Sequence, residues 1–436
     1  MGYNIILGRD KSDKKKFGDA GLVQIGKSYV TMGNYTSLSN NLYLDVARSH
    51  VVLVAGKRGS GKSYTLGVIT EEIANLPPDV SRNIAPLIFD TMGIFWTMKF
   101  KNEKEKYQLT EWNLEPKSLP IRVFAPIGKI EEYEKKNIPV DKPFAIKASE
   151  LEAEDWITTF NLSMTSSEGV LITNSITSLK EESSDFTIQD IIKKINQAQN
   201  VNSDNKNIAS SLFQAAESWG IFSKEREGTE ITDLISAGIT TVLDLSVYSS
   251  IGAFNVRGLV IGLVSRKLFT QRINARKQEE IQSIQHGIDY MSYNPTRDTP
   301  LVWLFIDEAH EFLPKTHKTP ATDALVQILR EGRQPGISLV LATQQPGQIH
   351  QDVMTQADIV IAHRVTAKPD IEALNQIMQT YLLENIKTSL DNLPASKGSA
   401  IILDDNSERI YPMRMRPRLT WHGGESPAAV KGQSII

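Results

Sequence analysis

Short runs of apolar residues alternate with stretches of helical periodicity along most of the chain. A buried strand is predicted at residues 50–55, followed by a glycine-rich segment and by a helix at residues 63–75. Two further buried strands are predicted at residues 85–89 and 121–125. Runs that are apolar throughout, instead of alternating with polar positions, are typical of strands covered on both faces. The pattern therefore predicts a parallel sheet with helices on both of its faces.

The pattern changes to amphipathic helix between residues 145 and 235. Thr187 and Asp190 have the spacing of a capping box, and isoleucines follow them on one helical face. The alternation of strands and helices then resumes, with strands predicted at residues 239–245, 301–306, 338–342, 359–363 and 398–403, and helices at 256–284 and 322–331. We therefore expect an α/β fold with a helical insertion.

Five regions follow from this pattern. Residues 1–45 are predicted to form an N-terminal β region whose short strands are too few for an independent sandwich. The core is predicted to occupy residues 46–144 and 236–410, and the helical insertion residues 145–235. Residues 411–436, rich in Pro, Arg and Gly, are predicted to form a C-terminal arm or tail.

Composition excludes several classes of site and location. The 436 residues include no cysteine, which excludes disulfides, thiolate zinc sites and cysteine nucleophiles. The longest apolar runs are about a third of the ~20 residues that a membrane-spanning helix needs. The N-terminal sequence lacks the features of a signal peptide, so we expect a cytoplasmic protein without membrane insertion. Because the net charge is -3, any nucleic-acid contact is expected to be local.

A phosphate-binding motif lies between the first predicted buried strand and its helix. Residues 56–63 read GKRGSGKS and match the pattern G-x-x-x-x-G-K-[ST] in full. In such a loop the backbone N–H groups and the helix N-terminus bind phosphates, the lysine contacts the β and γ phosphates, and the serine hydroxyl binds Mg²⁺. We expect ATP and Mg²⁺ to be bound by Gly56, Lys57, Arg58, Gly59, Ser60, Gly61, Lys62, Ser63 and Tyr64.

Two carboxylates follow the strand predicted at residues 301–306. Asp307 is expected to hold the hydrated Mg²⁺, and Glu308 to act as general base on the attacking water. Acidic residues also end strands at protein surfaces without any catalytic role, and the phosphate-binding loop upstream favours the catalytic interpretation. An adjacent Asp-Glu pair, without guanine-recognition motifs, favours hydrolysis of ATP over GTP.

The strand predicted at residues 338–342 leads into the amides of Gln344 and Gln345. A glutamine beside the γ phosphate can detect it and orient water. Gln344 is the preferred candidate for this role, although Gln345 and a purely polar strand exit remain alternatives.

Basic residues in the second half of the chain have less specific patterns. Arg330, Arg333 and Arg364 lie near strand ends, where either an arginine finger or a structural ion pair is expected. Lys315 and Lys318 follow the Asp-Glu strand and are candidates for contact with DNA phosphates. A second basic stretch, at residues 266–277, is predicted to be the solvated face of a helix.

Taken together, these motifs resemble the HerA/FtsK group of ring-forming DNA translocases, and HerA most closely. The resemblance is carried by HVVLVAGKRGSGKSYT, GITTVLDLS, LFIDEAHEFLP, ILREGRQPGISLVLATQQPGQI and ADIVIAHRV. It implies a RecA-like core, a small N-terminal β-barrel and a hexameric ring that threads duplex DNA and hydrolyses ATP between subunits. By its motif position, Arg333 resembles the arginine finger that acts in trans, and archaeal members work with a NurA-type nuclease.

Three functions are compatible with these residues. The leading hypothesis is an ATP-driven DNA translocase or helicase of the HerA type. A conjugation, secretion or viral genome-packaging ATPase would share the same core. An ATP-dependent switch or scaffold is the alternative from another class, and the presence of Glu308 weighs against it, since a pure switch needs no catalytic base.

Overall fold

A single mixed sheet forms the centre of the molecule. The computed structural model describes residues 3–32, 35–225, 227–249, 254–378 and 386–425. Within these residues, thirteen strands pair in the order β1-β3-β2-β13-β12-β11-β4-β10-β9-β5-β8-β6-β7. The strands are β1 Ile5–Leu7, β2 Leu22–Met32, β3 Tyr35–Asp45, β4 Val51–Ala55, β5 Ile84–Asp90, β6 Arg122–Pro126, β7 Lys142–Phe144, β8 Thr241–Asp244, β9 Leu301–Ile306, β10 Ile337–Thr343, β11 Ile359–His363, β12 Ser399–Asp404 and β13 Arg409–Met415.

Helices connect most of the central strands. They are α1 Lys11–Phe17, α2 Lys62–Ala74, α3 Pro78–Ser81, α4 Lys106–Glu111, α5 Ile130–Lys135, α6 Ala153–Thr159, α7 Ser167–Glu182, α8 Ile188–Gln197, α9 Ser203–Ser218, α10 Ile231–Leu234, α11 Phe254–His286, α12 Tyr290–Tyr293, α13 Thr322–Glu331, α14 Gln351–Gln356, α15 Lys368–Met378 and α16 Ile386–Asp391. Among the described residues, no helix is both long and apolar enough to span a membrane.

The central strands are parallel and buried on both faces, which explains their uninterrupted apolar sequences. Every pair from β11 to β7 in the sheet order is parallel. In β4, Val51, Leu53 and Ala55 pack in one apolar layer, whereas Val52 and Val54 pack in the layer on the opposite face. Successive side chains of a strand point to opposite faces, so both layers need apolar residues. The predicted α/β fold is confirmed.

Helices cover the two faces of this sheet. Leu66 and Ile69 of α2 belong to the same apolar layer as Val52 and Val54. The long helix α11 and the helices α6 to α9 of the middle region contribute to the other layer. The Thr187–Asp190 capping box starts α8, as the sequence predicts. The sheet is thus a three-layer core with the helical region packed on one side.

The N-terminal strands extend this sheet instead of standing apart from it. Strand β2 pairs antiparallel with β3 and with β13, and β13 pairs with β12 at the edge of the parallel core. The sequence pattern predicts that an arm begins at residue 411. Strand β13 continues to Met415, so the first residues of this predicted arm belong to the sheet. The part of the predicted arm at residues 426–436 lies outside the described residues.

The prediction of a solvated basic face on α11 is wrong for Arg272. This side chain is fully buried, and its guanidinium donates to the carbonyl oxygens of Pro335 at 2.8 Å and Thr299 at 2.6 Å. It also pairs with Glu279 at 3.2 Å. A guanidinium that caps carbonyls and meets a carboxylate can be buried without leaving its charge unpaired, which a charge pattern alone does not reveal.

Candidate functional site

The phosphate-binding loop joins the end of β4 to the start of α2. Gly61 caps α2 with a φ of 111°, in the left-handed region that favours glycine. A Cβ at Gly56 would overlap the Ser60 hydroxyl and lie 2.8 Å from the Cβ of His363. The loop therefore needs glycine at both positions. It leads directly into the N-terminus of α2, which is where phosphates bind in such loops.

His363, at the end of β11, packs beneath this loop. Its Nε2 lies 2.8 Å from the Thr65 hydroxyl, and its Nδ1 lies 3.2 Å from the Ser399 carbonyl oxygen. Burial lowers the pKa of His363 to about 4, so the imidazole is neutral at ordinary pH. The histidine thus supports the loop without adding charge. The Lys62 ammonium donates to the Lys57 carbonyl oxygen at 3.4 Å.

Ser63 and Asp307 meet directly at the ends of α2 and β9. The Ser63 hydroxyl donates to Asp307 Oδ2, and the Glu308 N–H donates to Asp307 Oδ1 at 2.9 Å. Burial raises the pKa of Asp307, and the hydrogen bond from Ser63 acts in the opposite direction. A hydroxyl and a carboxylate are the hard oxygen donors that Mg²⁺ prefers, so these two residues fit a Mg²⁺ that keeps its remaining ligands as water and phosphate oxygen.

Glu308 is held beside this pair by a turn in an uncommon conformation. Its φ of 51° and ψ of 44° place it in the left-handed region at the exit of β9. Burial, followed by the charge of Asp307, raises the pKa of Glu308 to about 7. Among the described residues, its Oε2 atom is buried without a hydrogen-bond partner. An unpaired carboxylate oxygen with a pKa near neutrality is suited to accept a proton from water.

The tip of β10 lies next to Glu308. A hydrogen bond from the Gln344 side chain lowers the pKa of Glu308, against the larger effect of burial. His310 Nδ1 lies 3.5 Å from Glu308 Oε2 and 3.3 Å from the Thr343 hydroxyl. Gln345 is exposed, and its N–H donates to Thr343 Oγ1 at 3.0 Å. Of the two glutamines left open by the sequence, Gln344 is therefore the one brought to the carboxylates.

A cavity of about 710 Å³ opens from the phosphate-binding loop. Gly56 and Arg58 do not line it, and Arg58 is exposed. The described residues that line it are Lys57, residues 59–65, Glu105, Gln108, Trp112, Arg364, residues 393–399, residues 414–417, His422, Gly424 and Glu425. Of these, the motifs single out only Lys57, Arg364 and residues 59–64. Most of the others belong to separate segments of the sequence and match no motif.

Arg333 lies near the start of β4, whereas the phosphate-binding loop follows the other end of this strand. Its guanidinium is 3.5 Å from Asp358, which accepts from the N–H of Val51 at the start of β4. A five-residue strand such as β4 spans about 17 Å, so Arg333 is well separated from the loop of its own subunit. Arg330 instead forms a surface ion pair with Asp352 at 2.7 Å.

Lys315 and Lys318 lie in the loop between β9 and α13. Both are exposed, and Lys318 pairs with Asp323 at 2.8 Å. The loop is held to the segment after β10, since the Lys315 N–H donates to the Gln348 carbonyl oxygen at 2.8 Å. The two lysines are thus presented at the same end of the sheet as the carboxylates, but they do not contact them.

The family model described as "Helicase HerA, central domain" matches residues 25–261, more than half of the chain. A second family model, zonular occludens toxin (Zot), matches residues 248–381.

Several curated relatives carry the HerA name. A probable DNA double-strand break repair helicase HerA of Methanocaldococcus jannaschii is 28% identical over 39% of this chain and 36% of its own length. The DNA double-strand break repair helicase HerA of Sulfolobus acidocaldarius is 22% identical over 88% of this chain and 67% of its own length. With the first of these, the match spans about a third of the relative.

Solved structures share the fold. VirB4 of Thermoanaerobacter pseudethanolicus matches with a TM-score of 0.56 at 12% identity, covering 94% of this chain and 98% of that one. The bacterial conjugative coupling protein TrwBΔN70 matches with a TM-score of 0.51 at 11% identity, covering 90% of each chain. At these identities the likeness concerns the fold alone, and it is the RecA-like fold of P-loop nucleotide triphosphatases.

Proposed function

The chain belongs to the HerA helicase family, and from this premise we propose that it is an ATP-driven, ring-forming DNA translocase or helicase. ATP hydrolysis in such a ring moves duplex DNA. The observation that carries the proposal is the meeting of Ser63, Asp307 and Glu308 beside the phosphate-binding loop. Binding of a triphosphate needs only the loop. A general base next to the magnesium ligands adds the capacity for hydrolysis.

The chemistry assigned to these residues is attack of water on the γ phosphorus. The oxygen of water forms a bond to phosphorus, the bond to the bridging oxygen of ADP breaks, and the water proton passes to the Glu308 carboxylate. Lys62 and the loop N–H groups hold the β and γ phosphates in place, and Gln344 orients the water beside Glu308. A Mg²⁺ held by Ser63 and Asp307 would supply charge neutralisation of the phosphate oxygens.

A subunit interface completes the proposed site. Because Arg333 lies about a strand's length from its own loop, it can contact a γ phosphate only on a neighbouring subunit. Repetition of one such head-to-tail contact closes a ring. The resemblance to HerA implies that this ring is a hexamer. Each ATP thus binds between the phosphate-binding loop of one subunit and the arginine of the next.

DNA is the proposed partner, through the pore of the ring. The net charge of -3 argues against a basic outer surface, and Lys315 and Lys318 are exposed at the end of the sheet that carries the catalytic residues. The relatives from Methanocaldococcus jannaschii and Sulfolobus acidocaldarius, a probable and a named DNA double-strand break repair helicase, support this choice of partner. A NurA-type nuclease is the corresponding protein partner in DNA end processing or defence.

Steady-state ATP hydrolysis with and without duplex DNA tests the proposed function. We expect duplex DNA to raise the turnover number of the full-length protein several-fold, and Lys315→Ala with Lys318→Ala to reduce this stimulation while leaving the DNA-free rate unchanged. Lys135→Ala with Lys136→Ala, at the exposed C-terminal end of α5, is the matched control. A rate that is the same without DNA and with every form of DNA would count strongly against a translocase.

A further inference from the structure

A line of alternating charges leads from the N-terminal strands to Arg333. Its inner members are Arg9, Asp45, His50 and Asp358, which we call the His50 cluster. The Arg9 guanidinium pairs with Asp45 Oδ1 at 2.5 Å, and Asp45 Oδ2 lies 3.7 Å from His50 Nε2. The other imidazole nitrogen, Nδ1, lies 2.6 Å from Asp358 Oδ2. The cluster thus connects the end of β3 with the residue before β11, and the proposed hydrolysis gives none of its members a role.

His50 is the charged centre of this cluster. Burial lowers the pKa of His50, but its contacts with the carboxylates of Asp358 and Asp45 outweigh burial and raise the pKa to about 9. Gly8 lies against the ring, since a Cβ at that position would be 2.7 Å from His50 Cε1. The His50 N–H donates to the Ser338 hydroxyl at 3.1 Å. At neutral pH the ring is therefore an enclosed imidazolium that is held facing Asp358.

Asp358 has a partner on each of its carboxylate oxygens. Oδ1 accepts from the Val51 N–H at 2.7 Å, and Oδ2 faces the His50 imidazolium. The Asp358 N–H also donates to the Val51 carbonyl oxygen at 3.1 Å. Burial acts to raise the pKa of Asp358, but the hydrogen bond and the charge of His50 lower it, so the carboxylate stays ionised. Asp358 therefore presents a fixed negative charge at the start of β4.

Arg333 is the outermost charge of the line and the one that solvent reaches. Its side chain is 56% exposed, whereas that of Asp358 is 15% exposed. The guanidinium lies 3.5 Å from Asp358 Oδ2, which is longer than the ~2.7–2.9 Å of a charge-assisted hydrogen bond. Because the His50 imidazolium already contacts the same oxygen, the carboxylate attracts Arg333 without binding it closely. The guanidinium is thus directed by a fixed charge and remains available to an anion outside its own subunit.

We propose that Asp358 is a positioning residue, which aims the guanidinium of Arg333 toward the ATP bound by the neighbouring subunit. A long, exposed side chain has many rotamers, and a fixed counter-charge reduces their number before the subunits meet. Correct orientation of a group that contacts the transition state raises kcat more than it raises the affinity for ATP. The role rests on the proposed function, because it assumes that Arg333 acts in trans.

Three carboxylate variants separate positioning from structural support. Asp358→Asn keeps the size of the side chain but removes the charge beside Arg333. Asp45→Asn also removes a carboxylate partner of His50, at the ring nitrogen that does not face Asp358. Asp352→Asn breaks a surface ion pair with α13 and leaves the His50 cluster intact. The last two variants are therefore matched controls for the first.

Turnover is measured on the full-length protein, with each variant alone and after dissociation and reassembly with an equal amount of a second variant. The affinity for a non-hydrolysable β,γ-imido analogue of ATP and the Tm are measured alongside. Asp358→Asn alone is expected to lower kcat about tenfold and to leave the analogue affinity within about twofold of wild type. Asp45→Asn is expected to lower the Tm while kcat stays within about twofold of wild type. Asp352→Asn is expected to match wild type in kcat.

Mixed rings show on which side of the subunit interface the defect of Asp358→Asn lies. Lys62→Ala protein carries an intact Asp358 and Arg333. Its mixture with Asp358→Asn is expected to reach about a quarter of wild-type turnover, about five times the mean of the two components. A mixture of Asp358→Asn with Arg333→Ala is expected to show no gain, because both variants are defective at the arginine. If Asp358→Asn does not fold, Asp358→Glu, which moves the charge by one methylene group, takes its place with the same expectations.

Unchanged kcat in Asp358→Asn would overturn the positioning role. An equal loss in Asp45→Asn, or a loss that Lys62→Ala protein does not restore, would also overturn it, since a structural defect stays with its own subunit. The mixture of Lys62→Ala with Arg333→Ala separates this outcome from failure of the proposed function. If that mixture is active and the Asp358→Asn mixture is not, only the positioning role fails. If neither mixture is active, Arg333 does not act in trans and both fail.

Discussion

Glu308 owes its position to a backbone conformation that side-chain-bearing residues adopt infrequently. A φ of 51° turns the chain sharply after β9, immediately beyond Asp307. The turn places two carboxylates side by side. Asp307 accepts hydrogen bonds from Ser63 and the Glu308 N–H, whereas Oε2 of Glu308 is buried without a hydrogen-bond partner among the described residues. The difference in environment explains how adjacent carboxylates can divide the roles of metal ligand and base.

The pH dependence of turnover should follow the protonation of Glu308. A base must be deprotonated to act, and burial raises the pKa of Glu308 to about 7. Below that pH the carboxyl group carries a proton, so kcat/KM for ATP is expected to fall about tenfold for each pH unit below about 6.5. The measurement is the kcat/KM profile from pH 5.5 to 8.5, with binding of the non-hydrolysable analogue measured over the same range. A profile that stays flat down to pH 5.5 would contradict the assignment.

At the scale of elements, Glu71 connects α2 with residues 416–425, which we call the C-terminal strap. It has no exposed surface, and both Arg416 and Arg418 are buried against it. Removing one partner of such a group leaves the others charged and unpaired, which costs far more than loss of a surface ion pair. The strap thus depends on one carboxylate of the phosphate-loop helix.

Glu71→Gln is expected to destabilise the folded protein by about 3 kcal/mol or more, because the buried guanidinium of Arg418 loses its carboxylate partner and that of Arg416 keeps only Glu72. Thermal unfolding by calorimetry measures the effect as a lower Tm. The neighbouring Glu72→Gln is the control: its carboxylate is partly exposed and pairs with Arg416, which keeps Glu71 as a partner, so a smaller loss is expected. An unchanged Tm in Glu71→Gln would show that the buried cluster contributes little to stability.

The sequence predicts those elements of the site that are adjacent along the chain or that end in a recognisable motif. Strand β4, the phosphate-binding loop and α2 are contiguous, and the ends of β9 and β10 are recognisable because apolar strands lead directly into Asp307 and Gln344. Parallel strands bring such ends to one edge of a sheet, so their proximity also follows from the pattern. Helix α13 has the bounds predicted for it, Thr322–Glu331.

The pattern of hydrophobic and polar positions does not predict contacts between distant segments. Glu71 and Arg416 are 345 residues apart, and nothing in either local sequence indicates that they meet. For the same reason, the sequence does not predict the pairing of β2 with β13, which joins the N-terminal strands to the core sheet. The sequence also does not indicate that Trp112 and His422 line one cavity, because they belong to separate segments without a shared motif.

At the scale of the whole molecule, Lys62 and Arg333 lie at opposite ends of the sheet, so the proposed site takes its loop and its arginine from different subunits. A subunit that lacks Lys62 can still offer Arg333, and a subunit that lacks Arg333 can still bind ATP. Mixed rings therefore distinguish action in trans from action within one chain.

Mixing Lys62→Ala protein with Arg333→Ala protein is expected to restore ATPase activity that neither variant has alone. In randomly mixed rings, about a quarter of the interfaces combine an intact loop with an intact arginine. Activity is measured after dissociation and reassembly, and Lys62→Ala mixed with wild type serves as the reference for dilution. If the mixture stays as inactive as its components, Arg333 does not act across the interface.

Hydrolysis of ATP by the Asp307–Glu308 pair is most directly tested by the turnover number of Glu308→Gln at saturating ATP and Mg²⁺. The glutamine keeps the size of the side chain but cannot accept the proton from water. We predict that turnover falls at least about a hundredfold while the affinity for the non-hydrolysable analogue stays within about twofold of wild type. Equal turnover of Glu308→Gln and wild-type protein would contradict the assignment of Glu308 as the general base and, with it, the motor function.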